Sequence, residues 1–266
     1  MPRKKKTGVC HICGNYGKLS FEHVPPQKAF NSSRRVVIVG FDNMVSLGPD
    51  DVPKGPIQQR GAGDHTLCES CNNTTGTWYA ADFIQWCYQG MDVLQRTNFN
   101  PSIFIFHHLY PLRILKQIVT MLFSVNDQDK FRQAFPELAE FVLNKEKRYL
   151  PPRFRFFTYF NPGDRFRYNG LSSKIDLETG RVTALTEISY PPFGYVMTLD
   201  TDPPDRRLLE ISHFARYRYN DFRSMELKPP VLPTATYWPG DYRTRKEVRE
   251  QAAESSAYQQ DWIDHP

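Results

Sequence analysis

The sequence predicts an α+β protein in three parts: a zinc-stapled module of strands and one helix, a helical connector, and a mainly antiparallel β region. Three observations carry this. Two Cys-x-x-Cys pairs stand at 10/13 and 68/71, apolar residues recur at helical spacing between Trp78 and Val142, and from Pro151 onward the period drops to two. The boundaries fall at 1–97, 98–149 and 150–239, with a polar tail over 240–266, a frayed helix at most.

Composition sets the frame. At 266 residues, with 40% hydrophobic and 24% charged, the chain can bury a substantial core, and 21 prolines oppose a long bundle or coiled coil. No run of eighteen apolar residues exists, so no membrane helix is expected. The start, Met-Pro-Arg-Lys-Lys-Lys, lacks the apolar segment of a secretory signal, which predicts a cytoplasmic protein. A net charge of +5 suits a polyanionic partner and many plain enzymes alike. The Arg3-Lys4-Lys5-Lys6 tip is too short to fold and reads as a solvated tail or a phosphate-contacting arm.

In chain order, Leu19-Ser-Phe-Glu-His-Val24 alternates as a strand and stops at Pro25-Pro26. Residues 27 to 66 are turn-rich, with one further strand at Val36–Val39. Asn72-Asn-Thr-Thr75 opens a helix whose spacing places Trp78, Tyr79, Phe83, Trp86, Cys87 and Leu94 together. A second helix runs from Pro111 to Val125, the proline suiting its first turn, and a third spans about 128–144. Arg153–Phe160 and Arg165–Tyr168, joined by Asn-Pro-Gly-Asp, read as a hairpin. Further strands are expected at about 173–177, 181–189, 193–199 and 208–219.

Two thiolates separated by two residues sit on one tight knuckle, and two knuckles make the tetrahedral sulfur cage that Zn²⁺ prefers. Cys10, Cys13, Cys68 and Cys71 are the expected ligands, with disulfides or redox-active thiols as the competing use; a reducing compartment favours zinc. Four sulfurs leave no open position, so this zinc is structural. Cys87 is expected to be a buried small hydrophobe.

Cys-x-x-Cys-Gly, Glu22-His23-Val24-Pro25 and Leu67-Cys68-x-x-Cys71-Asn72 together resemble the zinc-stapled HNH endonucleases over roughly residues 8–80. The resemblance implies a ββα-metal fold in which Glu22 and Asn72 hold a divalent ion, Mg²⁺ or Mn²⁺, and His23 activates water. A one-residue shift at the helix start would pass the ligand role to Asn73. The family's central asparagine, which braces the histidine loop, has no counterpart before the second knuckle, so Asp64 or His65 is expected in its place. The long gap between His23 and Cys68 signals either an insertion around 30–60 or a diverged site.

Phosphodiester hydrolysis independently favours these residue types. A carboxylate and an amide oxygen are hard ligands, and an imidazole is largely neutral at cellular pH and accepts a proton. Glu22 and His23 face opposite sides of an alternating strand, and a twist at the prolines is expected to aim both at one cleft. Gln58, Gln59 and Arg60 read as a polar loop or as phosphate contacts. Arg153, Arg155, Arg165 and Arg167 are expected on one face of the hairpin, as a phosphate-tracking or merely solvated surface.

The expected function is metal-dependent cleavage of double-stranded DNA, in restriction, phage defence or mobile-element biology, with a protein activator as one way to restrain it. The alternative is a non-catalytic zinc module that binds nucleic acid or protein.

Overall fold

The computed structural model describes residues 6–33, 36–37, 39, 47, 51–100, 104–127, 129–163, 165–175 and 179–264, with side chains for all of these except 104–107 and 255–264. It is a mixed helical and antiparallel-sheet protein. Among the described residues no helix is long and apolar enough to cross a membrane.

The first unit is a three-stranded sheet of order β1-β2-β5, made by β1 (Thr7–Val9), β2 (Tyr16–His23) and β5 (Gly63–Cys68). β1 follows directly on the basic tip. It is held by pairing from Thr7↔Lys18 to Val9↔Tyr16 and by a 2.9 Å ion pair between Lys6 and Asp64. The intervening chain carries one short ladder, β3 (Val36–Val37) with β4 (Ile57–Gln58); the rest of the strand expected over 36–39 includes a position outside the described residues.

The knuckle helix starts earlier than its polar run suggested. α1 (Glu69–Thr75) begins on Cys68, whose sulfur accepts the Cys71 amide, and passes through a π turn at Gly76–Ala80 into α2 (Ala81–Arg96). As expected, Tyr79, Phe83, Trp86, Cys87 and Leu94 are buried. β6 (Phe104–Leu109) leads into α3 (Pro111–Val125), with its proline in the first turn.

The helix expected over 128–144 is two, α4 (Lys130–Ala134) and α5 (Pro136–Leu143). The break at Phe135 is caused by Pro136, because a residue before proline is driven out of the α region; here it sits at φ −133°, ψ 61°.

The C-terminal region corrects the sequence reading most. β7 (Phe154–Phe160), β8 (Arg167–Ile175), β9 (Val182–Tyr190), β10 (Phe193–Leu199) and β11 (Leu209–Glu210) form one sheet of order β11-β7-β10-β9-β8. The hairpin expected between β7 and β8 does not form, since β10 and β9 lie between them. Asn161 explains the connection. Its amide donates to the Arg165 carbonyl and to Ser189, and its side-chain oxygen accepts the Gly163 amide, which ties Asn161, Gly163 and Arg165 to β9. The true hairpin joins β9 to β10 through Pro191-Pro192, from Phe193↔Tyr190 to Thr198↔Leu185.

The strand expected over 208–219 shrinks to β11 and a 3₁₀ turn at Ser212–Arg216, and β12 (Arg223–Leu227) pairs with β6. The expected polar tail forms α6 (Arg245–Asp264). Its start is a capping box, with Thr244 Oγ1 accepting the Glu247 amide and Glu247 accepting the Thr244 amide at 2.6 Å.

α3 is the spine. Twelve of its fifteen residues are buried, and it touches β5, α2, α5, β8 and β9. One buried residue is a lysine. Lys116 donates to the carbonyls of Phe141 (2.7 Å), Asn144 (2.6 Å) and Lys145 (3.2 Å), closing the C-terminal end of α5. Burial pulls its pKa down to about 7, while three carbonyl acceptors call for three N–H donors, which only the ammonium has. Lys116→Met should therefore take this donor from the buried Phe141 carbonyl and from the part-buried Asn144 and Lys145 carbonyls, of which Asn144 keeps the Lys147 amide. A loss of about 2–4 kcal/mol in unfolding free energy, read from urea titration, is expected.

Candidate metal and catalytic site

The first knuckle is shaped by its backbone. Cys10 donates its amide to Asn15, and Gly14, at φ +77°, donates to Cys10; a side chain at that left-handed position would be strained. The second knuckle closes on α1. The four sulfur atoms of Cys10, Cys13, Cys68 and Cys71 lie within 4.8 Å of one another, with Cys13 and Cys68 at 3.8 Å. Tetrahedral Zn–S bonds of about 2.3 Å place sulfurs about 3.8 Å apart, so the donor set fits Zn²⁺. All five cysteines are free thiols, which sets the disulfide reading aside. Cys87 is buried at 3% exposure and lies outside the cluster.

The knuckles are tied to the spine. His11 is buried and donates from Nδ1 to the Phe123 carbonyl at 2.8 Å, near the end of α3, and Thr66 and Ser124 share a hydroxyl hydrogen bond of 2.9 Å.

Of the three residues expected to do chemistry, Asn72 meets β2 just before Glu22. Asn72 donates its amide to Ser20 Oγ at 3.0 Å and to the Phe21 carbonyl at 3.4 Å, which leaves its side-chain oxygen to accept. The pairing of β2 with β5 shifts register between Ser20 and Phe21. Asn73, the competing ligand, makes no such contact with β2 among the described hydrogen bonds. Glu22 is only 7% exposed and has no hydrogen-bond or ion-pair partner among the described residues, and burial pushes its pKa up to about 8.

His23 leaves the opposite face. The ladder runs on through Glu22↔Asp64 and His23↔Gly63, and the His23 ring lies 4.8 Å from that of Phe21. The ladder holds the two side chains on opposite faces as far as His23, before the prolines where the twist was expected. Beyond Leu19 the edge of β2 away from β5 has no strand neighbour among the described residues. His23 Nε2 donates to the Arg60 carbonyl at 2.9 Å, which fixes the proton on Nε2 and leaves Nδ1 as the basic nitrogen. Burial, and after it the nearby Arg60 charge, holds its pKa below 6.5, although its bond to the Arg60 carbonyl opposes them.

The bracing expected of Asp64 or His65 falls to neither. Asp64 pairs with Lys6, and the His65 ring stands edge-on to Phe21 at 5.3 Å. Asn31 does the work: wholly buried, it donates to the carbonyls of Pro25 (2.7 Å) and Ala62 (2.8 Å) and accepts the Ala62 amide (2.7 Å). The loop after His23 is thereby locked to the strand entering β5. Gly61 lets the chains approach, since a Cβ there would stand 2.3 Å from the Asn31 carbonyl oxygen. A lone asparagine inside a turn-rich stretch gives no periodic signal, which is why sequence reasoning missed it.

The four arginines do not share a face. Arg167 is buried and paired with Glu187 at 2.8 Å, and it also donates to the Trp238 and Asp241 carbonyls. Arg165 is 8% exposed, with its guanidinium over Tyr237. Arg155 pairs with Glu210 at 2.8 Å, and Arg153 pairs with Glu137. Each has a partner within the chain, Arg165 and Arg167 buried and Arg153 and Arg155 in half-exposed ion pairs. No family model, curated protein or solved structure matches this chain.

Three measurements test the site. Metal analysis should return one Zn²⁺ per chain, with Cys68→Ser losing it and unfolding locally, while Cys87→Ala retains it. Asn31→Ala should lower stability by about 2 kcal/mol in a denaturant titration, as buried backbone groups lose their partner.

The third concerns Glu22 in zinc-loaded protein without Mg²⁺ or Mn²⁺. Between its ordinary 4.5 and about 8, the folded protein holds a proton that the unfolded chain has released, so stability falls as pH rises through that window. Glu22→Gln should remove this slope. Its denaturant midpoint should exceed that of the parent at pH 8 and approach it at acid pH.

Proposed function

We propose that the chain is a divalent-ion-dependent endonuclease that hydrolyses phosphodiester bonds of DNA. The observation that carries this reading is Glu22, a buried carboxylate without a partner among the described residues, one residue from a histidine whose tautomer is fixed. A buried carboxylate is costly unless it is paired, hydrogen-bonded or bound to a cation, and its raised pKa records that cost. The resemblance of the Cys-x-x-Cys, Glu22-His23 and Cys71-Asn72 pattern to zinc-stapled HNH endonucleases supports the same assignment.

Glu22 and the Asn72 side-chain oxygen would hold Mg²⁺ or Mn²⁺, both being hard oxygen donors. When bound, such an ion neutralises charge that builds on the phosphate oxygens. The protein's own groups do the rest. His23 Nδ1 accepts the proton of a water molecule as its oxygen attacks phosphorus and the bond to the leaving alcohol breaks. The Arg60 carbonyl holds the ring in place through Nε2 and stabilises the imidazolium formed. With its pKa below 6.5, His23 is a neutral base at pH 7, so activity should fall on the acid side as the ring protonates. The zinc cluster, with four protein sulfurs, keeps a structural role.

His23→Ala should reduce Mg²⁺- or Mn²⁺-dependent nicking or cutting by about 10²- to 10⁴-fold while leaving zinc content and DNA affinity close to those of the parent. Glu22→Ala and Asn72→Ala should weaken the ion and be partly rescued by excess Mn²⁺; His23→Ala should not. Plasmid cleavage across a divalent-ion series reads all three. Absence of cleavage by zinc-loaded parent protein across that series would favour the binding-module reading, and full activity of His23→Ala would place the active site elsewhere.

A further inference from the structure

The arginines read as a DNA-tracking face are used inside the protein, so any phosphate contact must come from cations that remain free. Two lie on the segments that flank His23, Arg60 bonded to its ring through the backbone carbonyl and Lys28 five residues further along the chain. Arg60 is exposed, and its guanidinium has no hydrogen-bond or ion-pair partner among the described residues, while its carbonyl receives the His23 proton at 2.9 Å. Lys28 is exposed and equally without a partner among them, on the loop that leaves His23 and turns through the Ala29 amide to the Pro26 carbonyl. Asn31 bonds both loops and fixes their spacing.

Two exposed aromatic rings accompany them, Phe30 on the Lys28 loop and Tyr88 against it. Phe30 is 37% exposed, adopts a left-handed φ of 65° and offers its carbonyl to the Tyr190 hydroxyl at 3.1 Å. Tyr88, on α2, is 43% exposed and stands edge-on to Phe30 at 5.2 Å. An apolar residue held in a left-handed conformation, anchored through its backbone and presenting its ring to solvent is costly for packing alone. Cations for a backbone together with exposed rings for bases is the combination that binds single-stranded nucleic acid. A duplex keeps its bases stacked on one another and offers no base face to such rings.

We propose that Lys28, Phe30, Arg60 and Tyr88 form a single-strand track, so that the DNA presented to His23 carries unpaired nucleotides. This rests on the nuclease reading for its link to cleavage, while the binding surface stands on its own geometry. Lys28 and Arg60 hold phosphates on either side of an unpaired base that stacks on Phe30 or Tyr88, and the cut phosphate lies next to that base.

The test uses full-length, zinc-loaded protein carrying His23→Ala so that no cutting occurs. The probes are a single-stranded oligonucleotide with a central 2-aminopurine and its duplex form. Binding should quench 2-aminopurine in the single strand, with an affinity above that for the duplex. Adding Phe30→Ala and Tyr88→Ala should abolish the quench and weaken single-strand binding by about 10-fold or more. Phe30→Trp with Tyr88→Phe should preserve both, which separates stacking from folding. Lys28→Gln and Arg60→Gln should each lower the single-strand salt slope by about 0.7.

Equal binding of single strand and duplex, or alanine variants that quench and bind like the parent, would overturn the track. If His23-intact protein then still cleaves duplex DNA, the track alone has failed. If it cleaves nothing while the platform variants lose single-strand binding, the nuclease reading has failed and the track stands.

Discussion

The structure depends on bringing four thiols to one point. Sulfurs within 4.8 Å cannot all ionise without a cation among them: the Cys71 thiol donates to Cys10, drawing Cys10 down to about 4 and pushing Cys71 upward. A bound Zn²⁺ removes that conflict and closes the chain from Cys13 to Cys68, a loop whose closure a short three-stranded sheet would otherwise have to offset alone. The consequences travel outward by single residues. Cys10 places His11 against the end of α3, and Cys71 places Asn72 against Ser20 and Phe21. The staple therefore sets both the docking of the module and the position of one proposed ligand.

The C-terminal sheet makes a different use of charge. Arg167 and Glu187 are fully buried together; Tyr159 and the Gly240 amide donate to Glu187, and the carbonyls of Trp238 and Asp241 accept from Arg167, whose Nε is buried without a partner among the described residues. A pair this dry adds little net stability but penalises any arrangement that separates it, which fixes β8, β9 and the 236–242 segment in one register. Glu187 holds Arg167, and Glu210 and Asp202 hold Arg155.

The cysteine cluster was legible because metal ligation demands residue identity and spacing at once, and two Cys-x-x-Cys pairs satisfy both. The helices through Phe83, Trp86 and Ile118 and the strands over 181–199 were legible because burial imposes a period. The arginine face was misread for a physical reason. Alternating Arg and Phe in 153–168 looks like an amphipathic hairpin, yet β7 is covered on both faces, and Arg167 on the edge strand β8 turns inward because the buried Glu187 carboxylate awaits it. Turn chemistry also misled, since Asn161 ties itself, Gly163 and Arg165 to β9 through side-chain bonds that Asn-Pro-Gly-Asp does not announce. The capping box Thr244-Arg-Lys-Glu247 was readable and signals α6, but the polar character of residues 248–264 hid it. Asn31 was beyond reach, because its three hydrogen bonds join segments far apart in the chain.

The pair Glu22-His23 can be weighed against its idle alternative on physical grounds. In a module that only binds, a carboxylate at position 22 gains nothing from being buried without a partner, and an apolar residue of like size would pack there at no electrostatic cost. His23 has a simpler place in the fold, with one nitrogen bound and the ring against Phe21, and alone it would suggest no chemistry. What joins them is the edge of β2 that no described strand covers past Leu19, where Asn72 has already taken the Phe21 carbonyl. Along that edge an oxygen-ligated cation on one side and an imidazole nitrogen on the other can address the same phosphate, although their side chains leave opposite faces of the strand. On the proposed reading, the incomplete sheet is the feature that turns two neighbouring residues with divergent directions into one site.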